Sequence, residues 1–308
     1  MHGPAKASAF NRDASTSTRR KAMKVFVTAG TGTIGTALVG ELRNRGAEVS
    51  VLTRSEDNAA ALPDGVRGVV GDLLDLKLLG EEFAAADAVF LNCPIGEAET
   101  YQGMLAVDAA KRAGVGHLVY VSTHDPEELF TPPHCAVKLV VEKAIKASGV
   151  PYTILRLNEF MQNDILAKEM LLAGINGIPL GTVGVSRVDV RDVAEAAAIV
   201  LTTPGHHGET YVVSGPEALT GQAVTDIWSR ALGVEIAYVG DDLASCSMIL
   251  NEMMPQHLAR DIWLTYEHYD RHGQAASADD VERLTKLLGH APRSFAEFAA
   301  EMAGVWKS

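Results

Sequence analysis

Apolar and polar positions alternate along the first half of this chain in a pattern that predicts short buried strands, each followed by an amphipathic helix. The predicted strands are Val25–Thr28, Glu48–Thr53, Val66–Val70, Asp87–Asn92, His117–Ser122 and Tyr152–Leu157. Helical periodicity covers Thr33–Arg45, Leu76–Ala85, Ala98–Ala113 and His134–Ser148. Strand–helix units repeated in this order predict an α/β fold, in which a doubly wound parallel sheet carries helices on both faces.

The strand–helix rhythm loosens in the second half of the chain. The pattern predicts a helix over Asn158–Ala173, an extended return over Ile178–Val188, a helix from Asp189 to Leu201, a strand at Thr210–Val213, and short helices rich in Met and Trp from Pro216 onward. We therefore expect an α/β domain at residues 23–157, completed by about residues 186–215. Residues 158–185 and 216–308 are expected to form a smaller, mostly helical substrate lobe that closes over the carboxyl edge of the sheet.

Charge and cysteine content restrict the partners and the compartment. The net charge of -12 disfavours direct binding of nucleic acid, and no apolar run approaches the roughly 18 residues that span a membrane. Three cysteines without a CxxC motif are typical of a reducing cytosol, so a cytoplasmic location is expected. Residues 1–22 hold five basic residues and one acidic residue, which favours a disordered extension over an organelle transit peptide.

The first predicted strand runs into a glycine-rich turn that opens the first helix. Gly30, Gly32 and Gly35 have the spacing G-x-G-x-x-G, with Thr31, Thr33 and Ile34 between them. Such a turn brings backbone N–H groups and a helix N-terminus close to a pyrophosphate. The turn therefore predicts a dinucleotide site; the alternative is a tight strand–helix turn without a ligand.

The end of the second strand indicates which dinucleotide is bound. An acidic residue here would hold the ribose hydroxyls of NAD, but this chain has Arg54 and Ser55. A guanidinium and a hydroxyl suit a 2′-phosphate, so NADP(H) is expected in preference to NAD(H). The alternative for Arg54 is an exposed arginine at a strand end. After the third strand, Asp72 beside Leu73 either receives the adenine amino group or caps the turn.

Eight stretches of the chain together point to a known family. They are Val27–Gly35, Leu52–Arg54, Gly71–Leu73, Val119–Ser122, Lys138 with Glu142, Gly149–Arg156, Val188–Ala194 and Leu287–Gly289. In combination they resemble the NmrA-like group of atypical short-chain dehydrogenases, over nearly all of residues 23–307. The resemblance implies a Rossmann-like fold and usually NADP(H). It implies either a reductase acting on quinones, dyes or phenylpropanoid-like double bonds, or an NADP(H) sensor that regulates a partner protein.

The chain departs from the patterns of these families at two places. The NmrA-like group usually has the motif G-x-x-G-x-x-G. The position of the first glycine of that motif is occupied by Ala29 in this chain, so we expect Gly30 to supply the flexible turn residue. Ordinary short-chain dehydrogenases use Y-x-x-x-K, but here His134 stands four residues before Lys138, on the same helix face. The resemblance places Lys138 where the reductases carry their lysine, to hold the nicotinamide ribose and polarise an acceptor. His134 is the candidate proton donor. The alternatives are a solvated lysine and a packing or capping histidine.

Other candidate site residues follow the predicted strands. Ser122 and Thr123 either hydrogen-bond the substrate or satisfy the loop backbone, while Asn158 and Phe160 are expected beside the nicotinamide, with backbone contact as the alternative for both. Two further candidates, Asn92 and Cys93, end the fourth strand at the same edge of the sheet, and Cys93 is expected to be a small buried residue, not a nucleophile.

No metal is expected. His268 and His272 have the i, i+4 spacing of zinc ligands but lack a third ligand and the glutamate of H-E-x-x-H.

These observations favour an NADPH-dependent oxidoreductase that transfers hydride to a small apolar, quinone-like or aromatic acceptor. The alternative is a non-catalytic NADP(H)-binding redox sensor. The sequence leaves open a homodimer or a protein partner. The missing tyrosine favours the sensor, whereas Lys138 with a histidine one turn before it favours the enzyme.

Overall fold

The computed structural model describes residues 22–125, 127–128 and 131–307, so the predicted N-terminal extension lies outside the described residues except for Ala22. These residues form nine strands: β1 Lys24–Val27, β2 Glu48–Thr53, β3 Arg67–Val70, β4 Ala88–Leu91, β5 His117–Thr123, β6 Tyr152–Leu157, β7 Ile175–Asn176, β8 Glu209–Val213 and β9 Ala237–Tyr238. Seven of them form one parallel sheet in the order β3-β2-β1-β4-β5-β6-β8. The predicted doubly wound parallel sheet is confirmed.

Helices cover both faces of this sheet. They are α1 Thr33–Asn44, α2 Glu56–Ala60, α3 Leu76–Ala85, α4 Glu99–Ala113, α5 Pro133–Ser148, α6 Lys168–Leu172, α7 Val190–Thr202, α8 Gly221–Leu232, α9 Leu243–Met253, α10 Gln256–His272, α11 Ala278–Leu288 and α12 Phe295–Trp306. α1, α7 and α11 pack on one face, and α3, α4 and α5 pack on the other. No helix among the described residues has both the length and the apolar character needed to cross a membrane.

The strands read as continuous apolar runs because both faces of the sheet are covered. In β1, Val25 and Val27 join the core under α1 and α7, while Phe26 points to the opposite core and meets Phe83 of α3 edge-on. Alternate side chains of one short strand therefore supply two separate cores.

The prediction of one helix over Asn158–Ala173 is wrong in its first part. The segment begins as a 3₁₀-helix at Met161–Ala167 and is α-helical only over Lys168–Leu172. The reason is a tertiary contact: Val188 donates its N–H to the Glu159 carbonyl at 2.8 Å, and Met161 donates to the Val188 carbonyl at 2.9 Å. This pairing holds the segment extended just after β6, where local helix propensity is overridden.

A third core lies in the C-terminal part of the chain, around the buried Trp228. Trp228 stacks on Trp306 and meets Phe295 and Phe298 edge-on, and its indole N–H donates to Asp164 at 2.7 Å. We call the helices that contribute to this core, α6, α8, α10 and α12, the C-terminal lobe. α11 lies outside this core, because Leu284 and Leu288 contribute to the sheet core beside α7. The domain boundaries suggested by the sequence remain a prediction.

Candidate active site at the carboxyl edge of the sheet

The glycine turn is built by close approach of backbone to backbone. A Cβ on Gly30 would lie 2.5 Å from a methyl of Val51 in β2, and a Cβ on Gly35 would lie 2.3 Å from the carbonyl oxygen of Ala29. Both positions therefore require glycine to let α1 follow β1 directly. The expectation that Gly30 supplies the flexible residue is wrong, because Ala29 itself takes the left-handed conformation, with φ of 51°.

No side chain of the described residues caps the N-terminus of α1. Its N-cap is Gly32, which provides no capping side chain, and no acidic residue lies in the first turn. The first N–H groups of a helix have no intrahelical acceptor, so those of Thr33, Ile34 and Gly35 remain to bind an anion. Thr28 fixes the strand beside this turn: its hydroxyl donates to the Asn92 carbonyl at 2.9 Å and accepts from the Asn92 N–H at 2.8 Å.

A cavity of about 380 Å³ lies over this turn, and we call it the glycine-turn cavity. The predicted residues that line it are Thr31, Gly32, Arg54, Ser55, Asp72 and Leu73. The Arg54 side chain is exposed and makes no ion pair or hydrogen bond within the described residues. The Ser55 hydroxyl accepts from the Asn58 N–H at 3.3 Å as the cap of α2, and Asp72 accepts from the Leu74 N–H at 2.9 Å. One oxygen of Asp72 therefore caps the turn, as one of the two sequence alternatives expects.

A second cavity of about 370 Å³ continues along the same edge of the sheet and shares Pro94 with the first. We call it the lysine cavity. The predicted residues that line it are Ile34, Asn92, Cys93, Ser122, Thr123, His134, Lys138, Asn158 and Phe160. Residues of α10 cover it from the C-terminal lobe: Ile262, Thr265, Tyr266 and Tyr269. The fold thus brings most of the predicted site residues to two adjoining cavities, with Gly30 and Gly35 buried in the turn beneath them, while Thr33 is exposed and lines neither cavity.

Lys138 is held by a buried carboxylate that the sequence analysis missed. Its Nζ lies 2.5 Å from Oε1 of Glu99, whose side chain is 1 % exposed, and the ammonium also sits 5.9 Å from the centre of the Tyr120 ring. Burial raises the pKa of Glu99, and the positive charge of Lys138 opposes this rise. Lys138 is therefore a buried, paired cation, and the alternative of a solvated helix lysine is wrong.

His134 is held by a second carboxylate that the sequence analysis missed. Its Nδ1 lies 2.7 Å from Oδ1 of Asp261 in α10. Burial lowers the pKa of His134, but hydrogen bonds to Asp261 and Cys135 more than offset this effect and raise the pKa to about 10. The histidine is therefore an imidazolium cation at neutral pH.

The surroundings of two more predicted residues, Cys93 and Asn158, restrict what these residues can do. Burial raises the pKa of the Cys93 thiol to about 12, so the thiol stays protonated, which agrees with the expected small buried residue. The side-chain oxygen of Asn158 accepts from His124 Nδ1 at 2.8 Å, and its side-chain nitrogen donates to the carbonyls of Ser186 and Gln274 at 2.8 and 3.2 Å. Its backbone N–H donates to the Val213 carbonyl at 3.4 Å. Both the side chain and the N–H of Asn158 are therefore already used within the fold.

Candidate metal ligands outside this site are few. His268 and His272 stand with ring centres 5.0 Å apart, and neither belongs to a group of three ligand-type side chains within the described chain. One such group exists there, Asp192 with Glu195 and His290, but Arg293 pairs with both of its carboxylates. A guanidinium already compensates the negative charge at that position.

Fold and site together define a Rossmann-like α/β protein whose glycine turn and buried lysine lie along one edge of the sheet. The chain belongs to the NmrA-like family, because a model of that family matches residues 21–299. The resemblance inferred from the motifs is thereby confirmed.

Two relatives are similar over nearly their whole length. The NAD(P)H azoreductase of Xenophilus azovorans is 32% identical over 286 residues, which cover 92% of this chain and 99% of the relative. A (4-alkanoyl-5-oxo-2,5-dihydrofuran-3-yl)methyl phosphate reductase of Streptomyces griseus is 33% identical over 285 residues, covering 91% and 98%. Both of these relatives carry the names of reductases.

Solved structures share the fold at lower identity. Triphenylmethane reductase of Citrobacter sp., complexed with NADP(H), superposes with a TM-score of 0.80 at 24% identity and covers 91% of this chain and 99% of that one. The NADPH-dependent quinone oxidoreductase of Escherichia coli, complexed with NADPH, also gives 0.80 at 23% identity, covering 90% and 99%.

Proposed function

We propose that this protein is an NADPH-dependent reductase that transfers hydride to a small apolar, aromatic or quinone-like acceptor. The observation that carries the proposal is the pair of adjoining cavities, one over the glycine turn with a free arginine and the other around Lys138 and His134. The reductase names of the two relatives support it, and so do the NADP(H) complexes of two proteins with the same fold.

The residues of the glycine-turn cavity fit a phosphorylated dinucleotide. The uncapped N-terminus of α1 would receive the pyrophosphate on the N–H groups of Thr33, Ile34 and Gly35. Arg54, without another partner in the described chain, would bind the 2′-phosphate, while its neighbour Ser55 is already used as a helix cap. Gln102 adds a contact that the sequence did not suggest, because its Oε1 is buried at this cavity and has no hydrogen-bond partner among the residues that the structure describes.

The lysine cavity fits a flat apolar acceptor. Ile95, Phe160, Ile262, Tyr266 and Tyr269 are among its lining residues. Thr265 adds a buried hydroxyl that lacks a hydrogen-bond partner in the described chain. An apolar wall with a few polar groups is the usual design of a small-molecule site.

Four polar residues of the lysine cavity have tasks in the proposed reaction. Bound NADPH supplies the hydride. Lys138, fixed by Glu99, presents its ammonium to the ribose hydroxyls and to the polar end of the acceptor. His134 donates the proton that the reduced acceptor needs, and Ser122 and Thr123 stand at the end of β5 to hydrogen-bond the acceptor.

Turnover is the direct test of this proposal. NADPH oxidation is followed spectrophotometrically with quinones, azo dyes and enones, for the parent, for Lys138→Ala and for the control Lys143→Ala, an exposed lysine on the same helix. We expect at least one acceptor class to be reduced, with a loss of at least about tenfold in Lys138→Ala, the cost of about 1.4 kcal/mol in the transition state. Saturable NADPH binding without turnover on every acceptor would instead support the sensor.

Cofactor choice is tested separately by titrating NADPH and NADH against the parent, Arg54→Ala and the exposed control Arg112→Ala. Loss of a charge-assisted contact worth about 1.5–3 kcal/mol would weaken NADPH binding about 10- to 100-fold and leave NADH unchanged. Equal affinity of the parent for both dinucleotides would contradict the assignment of Arg54.

A further inference from the structure

His134 forms a hydrogen bond with a carboxylate from the C-terminal part of the chain. Asp261 lies in α10, 127 residues further on, and its Oδ1 is 2.7 Å from Nδ1 of the histidine. The backbone N–H of His134 donates to the same carboxylate at 3.1 and 3.3 Å. The two side chains are 15 % and 10 % exposed, so solvent does not compete strongly for these bonds. Asp261 thus fixes the ring and the backbone of His134 at once.

This contact decides which nitrogen of the ring is left to react. A histidine that donates from Nδ1 to a carboxylate keeps Nε2 for its other partner. Nε2 lies 3.3 Å from the sulfur of Cys135, and the histidine lines the lysine cavity. The arrangement matches the use of a carboxylate to orient a catalytic imidazole, in which the carboxylate also stabilises the protonated ring.

We propose that Asp261 is a positioning residue that keeps His134 in the imidazolium form, with Nδ1 bound to the carboxylate and with Nε2–H passing from the Cys135 sulfur to the acceptor when the acceptor binds. The inference rests on the proposed function only for the identity of the proton acceptor. Because α10 belongs to the C-terminal lobe, the donor is complete only when that lobe is docked on the carboxyl edge of the sheet.

The charges around His134 favour this state. The ionisable groups that face it from its own helix are Cys135 and Lys138, and those from the neighbouring elements are Glu97, Glu99, Glu159, His257, Asp261, Tyr266 and Tyr269. The hydrogen bonds to Asp261 and Cys135 outweigh the effect of burial and raise the pKa of the imidazole to about 10. The donor is therefore charged across the neutral range.

The proton from His134 neutralises the charge that hydride transfer leaves on the acceptor. A quinone-type acceptor that has gained a hydride becomes a hydroquinone monoanion, reduced by two electrons. The Nε2–H bond of His134 breaks, an O–H bond forms on the acceptor, and a neutral imidazole remains hydrogen-bonded to Asp261 until solvent returns a proton. The phenol-type oxygen has an ordinary pKa near 10, like that of tyrosine, which matches the donor.

The pairing is tested first without any acceptor. The ring nitrogens of His134 are followed by ¹⁵N NMR against pH in the full chain, assigned with His134→Gln, for the parent, Asp261→Asn and the control Asp270→Asn on the same helix. We expect a midpoint near 10 in the parent and in the control, and a fall of at least about two pH units in Asp261→Asn. A parent midpoint near 6.5, or one that Asp261→Asn does not move, overturns the inference.

A pH–rate profile then tests the role in turnover. For Asp261→Asn we expect the alkaline limit of kcat to move down with the NMR midpoint, while the Kd for NADPH stays within about twofold. A purely structural role would lower activity at every pH without moving the limit, and this result would also overturn the inference. If no acceptor is reduced while the NMR midpoints behave as expected, the proposed reductase function fails and the pairing of His134 with Asp261 stands.

Discussion

Replacing Lys138 by methionine should destabilise the fold by an amount that can be worked from its surroundings. The substitution leaves Glu99 as a carboxylate that is 1 % exposed, with no hydrogen-bond partner for either oxygen among the described residues. Removing one member of a buried ion pair costs about 3–5 kcal/mol. Against a total stability of about 5–15 kcal/mol this loss is large.

The double variant Glu99→Leu with Lys138→Met separates the charge from the volume. Apolar residues of similar size often replace a buried pair without loss. We therefore expect the double variant to lie within about 1 kcal/mol of the parent, while Lys138→Met alone shows the full deficit. Lys143→Met, an exposed change on the same helix, should fall within about 0.5 kcal/mol of the parent.

The deficit of Lys138→Met should also depend on pH. Burial raises the pKa of Glu99 above its ordinary 4.5, and the variant removes the positive charge that opposes this rise. A carboxyl group with a raised pKa in the folded state gives stability that is present below pH 4.5 and is lost as the pH rises through the folded value. The deficit should therefore be greatest near pH 8 and smaller near pH 5.

Urea unfolding followed by circular dichroism, at pH 5 and pH 8 and without cofactor, measures these differences. A loss under 1 kcal/mol for Lys138→Met at pH 8 would refute the reasoning, because the carboxylate would then have found other solvation. A double variant as unstable as the single one would refute it as well.

Two further substitutions test other parts of the structure, each against a matched control. Gly35→Ala places a Cβ 2.3 Å from the Ala29 carbonyl oxygen, so it should destabilise the fold by about 1–3 kcal/mol and weaken NADPH binding in a fluorescence titration. In the control Gly40→Ala on the same helix, the added Cβ meets nothing within 4 Å, and the fold should be stabilised by about 0.5–1 kcal/mol. Burial opposes ionisation of Glu142, but bonds from Arg156 and others lower its pKa, so its stabilisation is present above pH 4.5 and is lost as the pH falls through the lowered value. Glu142→Gln should lower the free energy of unfolding by about 3–5 kcal/mol at pH 7 and flatten the acid side of the plot of melting temperature against pH. The control is Glu127→Gln, which removes the second, exposed partner of Arg156 and should change the free energy of unfolding by less than about 0.5 kcal/mol.

The sheet and its glycine turn could be predicted because their causes are local. A strand covered on both faces needs a continuous apolar run, and the turn from β1 into α1 leaves no room for a Cβ at Gly30 or Gly35. These signals lie within a few residues of the feature they predict. The strand bounds accordingly agree with the structure to within one or two residues.

One prediction failed because a distant segment competes with a local preference. Val188 holds residues 159–161 in an extended pairing where the periodicity predicts helix, and it is too distant in sequence to leave a local signal. The prediction for Gly30 failed within the turn itself, where Ala29 takes the left-handed conformation and accepts from the Gly32 N–H at 3.0 Å. Local propensity decides only where no tertiary contact outweighs it.

The residues of the site divide in the same way. Lys138 and His134 stand out in the sequence because they have i, i+4 spacing in a predicted helix that follows a predicted strand. The motifs around them also resemble one family. Glu99 and Asp261 do not stand out, since an acidic residue in a predicted amphipathic helix is expected on the solvated face. The sequence alone determined the sheet and the glycine turn, and it singled out Lys138 and His134 as candidates. The buried carboxylate partner of each of these two residues follows from the tertiary structure, because packing α4 and α10 against α5 removes water from charges that must then be paired.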